Sequence, residues 1–569
     1  MNNTHGGDVT LSDIEKGKFG IALSGGGFRA AFFHIGVLAR LAEHDLLRHV
    51  AVISCVSGGS IIGAFYYLKV KQLLEGNRPD AMTPSTEAFC QLVKEIESEF
   101  TEAVQQNIRM LTFADQYENA RMLASKTTPT RRVSELLDEY FFAPITGTRN
   151  NLLCQLPITL PVNDKPTETI AGGTVVPRLI LNCTALNTGH LFQFTGTHIG
   201  ESSISSVLGG TSSMPQLPRL HLDDDKLTDM QRHRLGQITL GEAVAASSCV
   251  PGLLDPISLE GLYQDANGEP VQLRLVDGGV FDNQGLVSLF EEDCTHFVCS
   301  DASDLLQWQS DPTNLFHNVA LRANDIFMDR IRMSILQELW HRGEGHFAVF
   351  TLGANAGSDV FGDNAEAFLQ ALRGIRTDLD AFSDIEAWSL MYHGYTVSKH
   401  YLTETPLGRQ HSPMQVHHHD WDFSRIESMV ENPKQAELLL QHLRVGSHPF
   451  LKVFYLHKVL PWAIAILPTL IPLSATIFAI YLLPPIPTPA WVVIGLMALT
   501  GITYMQNARI IAWLDQVEVF KRTRKKLAKV LEPLGITVIL GIIGAVASWV
   551  NLRIFNPLFL RYGRLRERK

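Results

Sequence analysis

No C-x-x-C pair occurs in this sequence, and its seven cysteines among 569 residues are an odd number, mostly set in apolar runs. That argues against a disulfide framework and predicts reduced thiols in a cytosol-facing domain. A basic-then-apolar leader is also missing: MNNTHGGDVTLSDIEKGKFG is polar, so no cleaved export signal is expected. Charged residues make up only 19% against 46% hydrophobic, which excludes a disordered or fibrous chain, and the length allows about three domains. Residues 1–450 hold 33 Lys/Arg against 54 Asp/Glu, a net −21. With no basic, aromatic-interleaved stripe, that body is a poor match for a phosphate backbone, and no nucleic-acid partner is expected. The positive charge is gathered instead in residues 451–569, with 15 Lys/Arg against 4 Asp/Glu.

What is present begins with a repeated pattern. Phe19 to Leu23 reads as a strand running into a glycine turn, followed by helical spacing through Phe32, Phe33, Val37, Leu38 and Leu41. Val50 to Val56 is a second compact apolar run, ended by Ser57-Gly58-Gly59-Ser60 and another helical pattern. Strand, turn, helix, repeated with short connections, predicts an α/β fold with parallel strands. Further strands are expected at Arg178 to Thr184, His190 to Thr195, Gln272 to Val276 and His296 to Ser300. Residues 142–177 and 199–235 read as long loops, and residues 304–450 as mainly helical.

After residue 450 the character changes. Val459 to Leu483 is 25 residues without a charge, long enough to span a bilayer, and Ala490 to Met505 and Leu534 to Val550 add uncharged runs of 16 and 17. The loop between the second and third runs carries Arg509, Lys521, Arg522, Arg524, Lys525, Lys526 and Lys529, which predicts a cytoplasmic position for it. A third crossing would leave Arg553, Arg561, Arg564, Arg566, Arg568 and Lys569 on the far side, against the same rule, and a re-entrant or in-plane third segment would avoid this. The expectation is an integral membrane protein whose catalytic body faces the cytoplasm, with the lipid bilayer as a partner.

Three short stretches carry the chemistry. Cys55-Val56-Ser57-Gly58-Gly59 sets a serine on a strand-to-helix turn, the arrangement of a nucleophile elbow, although Cys55 stands where the usual elbow has glycine; alone, the stretch fits an ordinary Ser-Gly helix start equally well. Gly25-Gly26-Gly27-Phe28-Arg29 offers consecutive backbone N–H groups at a helix N-terminus, suited to an oxyanion or a phosphate. It does not follow the G-x-G-x-x-G dinucleotide pattern. A serine hydroxyl needs a neighbouring base, and Asp277, before Gly278-Gly279, can project at the carboxyl ends of a parallel sheet. His417-His418-His419-Asp420 lacks metal-ligand spacing and Asp223-Asp224-Asp225 lacks an EF-hand, so no metal site is expected. His34 reads as a packed side chain near the glycine turn.

In this order the three stretches resemble the patatin-like phospholipase family, and HIGVL after the glycine turn, AVAASSCVPGLLDP at residues 243–256 and DGGVFDNQGL add to the likeness. The resemblance implies a three-layer α/β domain with a mainly parallel sheet and a Ser/Asp dyad without a catalytic histidine or any cofactor. It makes Ser57 the nucleophile, Asp277 the base, Gly25, Gly26, Gly27 and Arg29 the oxyanion region, Cys55, Gly58 and Gly59 the elbow, and Gly278 and Gly279 the turn after the base. Cys55 and Ala30 depart from the family pattern. The expected organisation is a polar segment (1–17), a catalytic domain (18–305), a helical extension (306–450) and a membrane region with two or three hydrophobic helices (451–569). The expected activity is hydrolysis of glycerophospholipid esters through an acyl-enzyme. A neutral-glyceride lipase or general esterase on the same dyad, and an inactive lipid-binding scaffold, remain as alternatives.

Overall fold

The computed structural model describes residues 17–80, 82–123, 127–159, 169–170, 173–203, 216–303, 306, 309–312, 316–342, 346–354, 365–404, 419–450, 452–456 and 544–566. In chain order its main elements are β1 (Phe19–Leu23), α1 (Gly27–Glu43), β2 (Val50–Val56), α2 (Gly58–Leu74), α3 (Thr86–Val104) and β3 (Arg178–Ala185). They continue with β4 (Leu191–Phe194), β5 (His198–Glu201), α4 (Leu240–Ser248), β6 (Ile257–Gln264), β7 (Pro270–Asp277), β8 (His296–Asp301), α5 (Phe316–Arg342), β9 (Phe347–Thr351) and α6 (Asp384–Glu404).

One twisted sheet organises the body. Its order is β9-β8-β1-β2-β3-β4-β5 with the two-residue strand Leu220–His221 at the far edge; β7 also pairs with β3, and β6 with β7. The run β9 to β3 is parallel, whereas β4, β5, β6 and β7 pair antiparallel. Strand residues alternate between two cores: Ile21, Leu23, Ile53, Cys55, Leu179 and Leu181 face one side, and Ala22, Val52, Ile180, Phe297 and Cys299 the other. Helices cover both faces, as parallel strands require. On the first, α1 is buried along its whole length, which fits a sequence apolar on every side. It crosses α6 closely, an ideal Cβ on Gly394 falling 2.2 Å from the Phe33 carbonyl oxygen. On the second, the short helix Leu286–Glu291 and the C-terminal part of α5 around Leu339 complete the third layer.

Two strands depart from the sequence expectation. β9 lies within the stretch read as helical, because five residues between longer helical patterns give periodicity too little to act on. β6 was passed over because Gly261, at φ 78°, interrupts its alternation. The regions read as long loops hold short elements, among them β5, the hairpin Thr169–Ile170 with Thr174–Val175, and the helix Asp229–Leu235 with its Thr228/Gln231 capping box.

No helix among the described residues is long and apolar enough to cross a membrane. The apolar runs 459–483 and 490–505, the basic loop 506–533 and the start of the third run lie outside the described residues, as do His417, His418, Arg568 and Lys569. Residues 544–562 are helical and return to the body. Phe559 packs with Val445, Val453 and Leu456, and the Arg566 guanidinium meets Asp384 at 2.9 Å. All seven cysteines are unpaired and all but Cys154 are buried.

Candidate active site

β2 ends at Val56, which faces Asn182 on β3. The next position along β3, Cys183, faces Asp277 of β7. The antiparallel β7 therefore takes over the edge of β3 where β2 leaves it, and Asp277 arrives beside the residue after Val56. Asp277 thus reaches the carboxyl edge of the parallel strands from an antiparallel strand, not from a parallel one as the sequence suggested. Pairing direction depends on which neighbour the strand finds, and the strand's own residues do not encode it.

Ser57 sits between β2 and α2 with φ 52° and ψ −122°, a conformation that costs a non-glycine residue about 1–3 kcal/mol. Its N–H is held by both the carbonyl and the hydroxyl oxygen of Ser247, at 3.1 and 3.0 Å. The same stretch after α4 fixes Asp277, since the Cys249 carbonyl accepts the Asp277 N–H at 3.0 Å. One helix end thus ties Ser57 and Asp277 together. Sequence reading quoted this stretch only as part of the resemblance and gave Ser247 no role. The tight turn at Ser57 also needs glycines: an ideal Cβ on Gly58 falls 2.0 Å from the Gly27 carbonyl oxygen, and one on Gly59 falls 2.2 Å from that of Leu23. Cys55 is accommodated by Gly63 one turn into α2, where an ideal Cβ would stand 2.2 Å from the Cys55 sulfur.

Ser57 and Asp277 are both buried, at 7% and 5% exposure. Burial pushes the Asp277 carboxyl up to about 6, opposed by the Gly279 N–H on Oδ1 at 2.7 Å and by the Ser57 hydroxyl. Oδ2 has no hydrogen-bond partner among the described residues. Gly278 lies against β3, an ideal Cβ falling 2.3 Å from the Asn182 carbonyl oxygen, which accounts for the glycine after the base.

The glycine turn runs beside this pair. Gly26 and Gly27 have φ 139° and 60°, open to glycine alone at ordinary cost. No acceptor among the described residues takes their N–H groups, whereas the Gly25 N–H is bound to the Asn283 carbonyl at 3.0 Å and the Phe28 N–H to that of Asp378 at 3.1 Å. This corrects two sequence assignments. Gly25 shapes the turn but its donor is occupied, and Arg29 is buried with its guanidinium on the carbonyls of Ala302, Arg373 and Ile375, so it clamps backbone. Asp378, which no motif announced, backs the turn: an ideal Cβ on Gly27 would lie 2.8 Å from its nitrogen.

His34 is no base. Its Nε2 meets the Ser24 carbonyl at 2.9 Å and its Nδ1 the Ser300 hydroxyl at 2.6 Å, and burial lowers its pKa to about 4, leaving a neutral ring that braces the residue before the glycines. Of the cluster at 417–420, His419 faces Glu87 at 3.4 Å. The described residues hold no group of three or more metal-ligating side chains.

A strained serine, a buried carboxyl and unpaired backbone donors meet at the carboxyl edge of an α/β sheet, the set of groups that ester hydrolysis needs. Residues 21–289 match the family model of the patatin-like phospholipases, so this part of the chain is similar to a patatin-like phospholipase domain. No curated protein matches the chain. Among solved structures, human GIVD cytosolic phospholipase A2 in complex with methyl gamma-linolenyl fluorophosphonate aligns at 16% identity and a TM-score of 0.37, over 70% of this chain and 60% of its own. Another structure of that human protein aligns at 14% and 0.37, and VipD from Legionella pneumophila at 13% and 0.27 over 95% of this chain and 92% of its own. The chain spans about 60% of the length of the human protein. Likeness at these scores carries no argument about the site, whose reading rests on the geometry above.

Proposed function

We propose that this protein is a serine lipid acyl hydrolase acting on glycerophospholipid esters through a Ser57/Asp277 dyad. The observation that carries the reading is the backbone of Ser57, held at φ 52° facing a buried carboxyl with a pKa near 6. Ionised, Asp277 takes the Ser57 proton as Oγ attacks the ester carbonyl, and the Gly26 and Gly27 N–H groups receive the oxygen that becomes negative. Collapse breaks the bond to the alcohol, which leaves with the proton from Asp277. Water then attacks the acyl-serine, gives its proton to Asp277, and the fatty acid departs as Ser57 regains its hydrogen. No step draws on a metal or an organic cofactor.

Membrane attachment through the C-terminal region is part of the same proposal. Its support is the length of the apolar runs and the packing of both ends of that region together: the Phe454 and Phe555 rings meet at a tilt with centroids 4.8 Å apart, and Leu456 shares a cluster with Phe559. Two crossings by the uncharged runs of the sequence would be compatible with both ends of the region meeting on one side. Val546, Trp549, Ile554 and Tyr562 are about half exposed there beside Arg553, Arg561 and Arg564, a pattern suited to a headgroup interface. By the same basic residues the catalytic side is cytoplasmic. Anchoring raises the effective concentration of a substrate confined to the surface.

The test is fatty acid release from mixed phospholipid vesicles by the full-length protein purified in detergent. Wild type should release acid, and Ser57→Ala and Asp277→Asn should each lose at least about a thousandfold. Release from glycerides or short esters but not phospholipids would overturn the substrate class. Silence on all three would leave the scaffold.

A further inference from the structure

The back wall of the glycine turn comes from far along the chain, outside the residues 21–289 that match the family model. An ideal Cβ on Gly27 would lie 2.8 Å from the Asp378 nitrogen and 2.9 Å from its carbonyl oxygen, and the same oxygen accepts the Phe28 N–H at 3.1 Å. The two main chains are in direct contact. In a close-packed interior a shift of the Asp378 main chain is passed on to the turn, and with it to the Gly26 and Gly27 N–H groups. What holds Asp378 in place therefore bears on the site.

The Asp378 carboxylate meets the Arg109 guanidinium through Oδ2 and accepts the Leu379 N–H at 2.7 Å through Oδ1. Arg109 stands in the short helix Ile108–Ala114 and gives its own backbone N–H to the Leu379 carbonyl at 3.1 Å. The other arm of its fork reaches the Pro449 carbonyl and lies 3.6 Å from Asp380 Oδ2, and the guanidinium stands 4.5 Å from the centre of the Phe450 ring. One arginine thus touches three consecutive residues of the loop. The helix that carries it is capped by Asn107, whose side chain accepts the Met110 N–H at 3.1 Å. Other anchors lie to either side, with Arg29 on the carbonyls of Arg373 and Ile375 and Arg376 on Asp380 and Glu386. Among the described residues, Arg109 alone forms an ion pair with Asp378.

We propose that Arg109 is a positioning residue for the glycine turn: through Asp378 it sets the place of Gly27, and so the aim of the N–H groups that receive the developing negative charge. The proposal rests on the Ser57/Asp277 reading. No bond to Arg109 forms or breaks. Its contacts run to the loop, so its effect falls on the step in which charge develops and not on substrate binding.

The test is a double-mutant cycle on the full-length protein: wild type, Arg109→Gln, Asp378→Asn and the double variant. Each is assayed for fatty acid release from mixed phospholipid vesicles and for labelling by an alkyl fluorophosphonate, at a temperature well below its thermal midpoint. Each single variant should keep KM within about threefold and lose at least about tenfold in kcat and in labelling rate, since a small displacement of the donors is enough for such a loss. The double variant should lose no more than about threefold beyond the worse single one, because either change opens the same clamp. A purely structural pair predicts lowered midpoints with wild-type kcat in the folded protein. That result, or losses that multiply in the double variant, would overturn the proposal. Where Arg109→Gln does not fold, Asp378→Asn, which keeps the shape of the side chain, reads the clamp by itself. Ser57→Ala separates the two layers. If that variant is inactive while Arg109→Gln and Asp378→Asn turn over normally, the Arg109 assignment alone fails; if Ser57→Ala retains turnover, the dyad reading fails first.

Discussion

In the proposed dyad, the Asp277 carboxyl serves turnover at the expense of stability. It must be ionised to accept a proton, and burial lifts it to about 6. The account predicts kcat rising about tenfold per pH unit below that value and levelling above it, measured on vesicles between pH 5 and 8. Stability runs the other way. A folded pKa raised from the ordinary 3.8 costs nothing while both states are protonated, and stability falls as pH rises from about 4 until the folded group ionises near 6. At about 1.4 kcal/mol per unit, the full cost approaches ~3 kcal/mol. Asp277→Asn should therefore abolish turnover yet raise the thermal midpoint, with the gap widening from pH 5 to pH 8. An equal midpoint at both pH values would contradict the assignment of burial as the cause. At this scale the sequence located the turns that the structure brings together, and the catalytic roles of their residues are the proposal to be tested. Ser57, Gly26, Gly27 and Asp277 each stand in a short contiguous motif whose chemistry is local. Ser247, Asp378 and Asn283 were not legible, because their roles arise from contacts with residues far along the chain.

At the scale of elements, the site depends on how closely α2 can approach β2. Cys55 fills space that glycine would leave open, and Gly63 on the facing helix gives that space back. Gly63→Ala should destabilise the protein by about 1–3 kcal/mol through overpacking, and Cys55→Ala in the same chain should recover most of the loss. Urea unfolding of the four proteins of this cycle reads it directly; additive effects would show that the two positions do not share one volume. The departure at Cys55 therefore leaves the elbow intact, which sequence comparison of the motif alone could not tell. The strands β1, β2, β3 and β8 were legible because they are compact apolar runs buried on both faces. β6 and β9 were not, since a bulge breaks one and the other is a five-residue edge strand.

The whole molecule joins its C-terminal region to the glycine turn through one buried loop. Asp378 backs Gly27, and two residues on Asp380 meets Arg376 at 2.6 Å and Lys452 at 3.0 Å. Lys452 also donates to the Ala381 carbonyl at 2.7 Å, and Arg566 holds Asp384 from the other end of the region. Lys452→Met should destabilise by on the order of 3 kcal/mol, since it strips one partner from a buried charge cluster; an unchanged unfolding midpoint would count against the cluster. The acidic body, the basic tail and the apolar runs were plain in composition. The return of the tail to the body was not, because it depends on side chains more than a hundred residues apart.

The claim on which the rest depends is that Ser57 is the nucleophile and Asp277 its base. The most direct measurement is covalent labelling of the full-length protein with an alkyl fluorophosphonate, with the adduct located by peptide mass spectrometry. The account predicts a single adduct on Ser57, none in Ser57→Ala, and labelling slowed at least about a hundredfold in Asp277→Asn. An adduct on another residue, or undiminished labelling of Ser57→Ala, would contradict it.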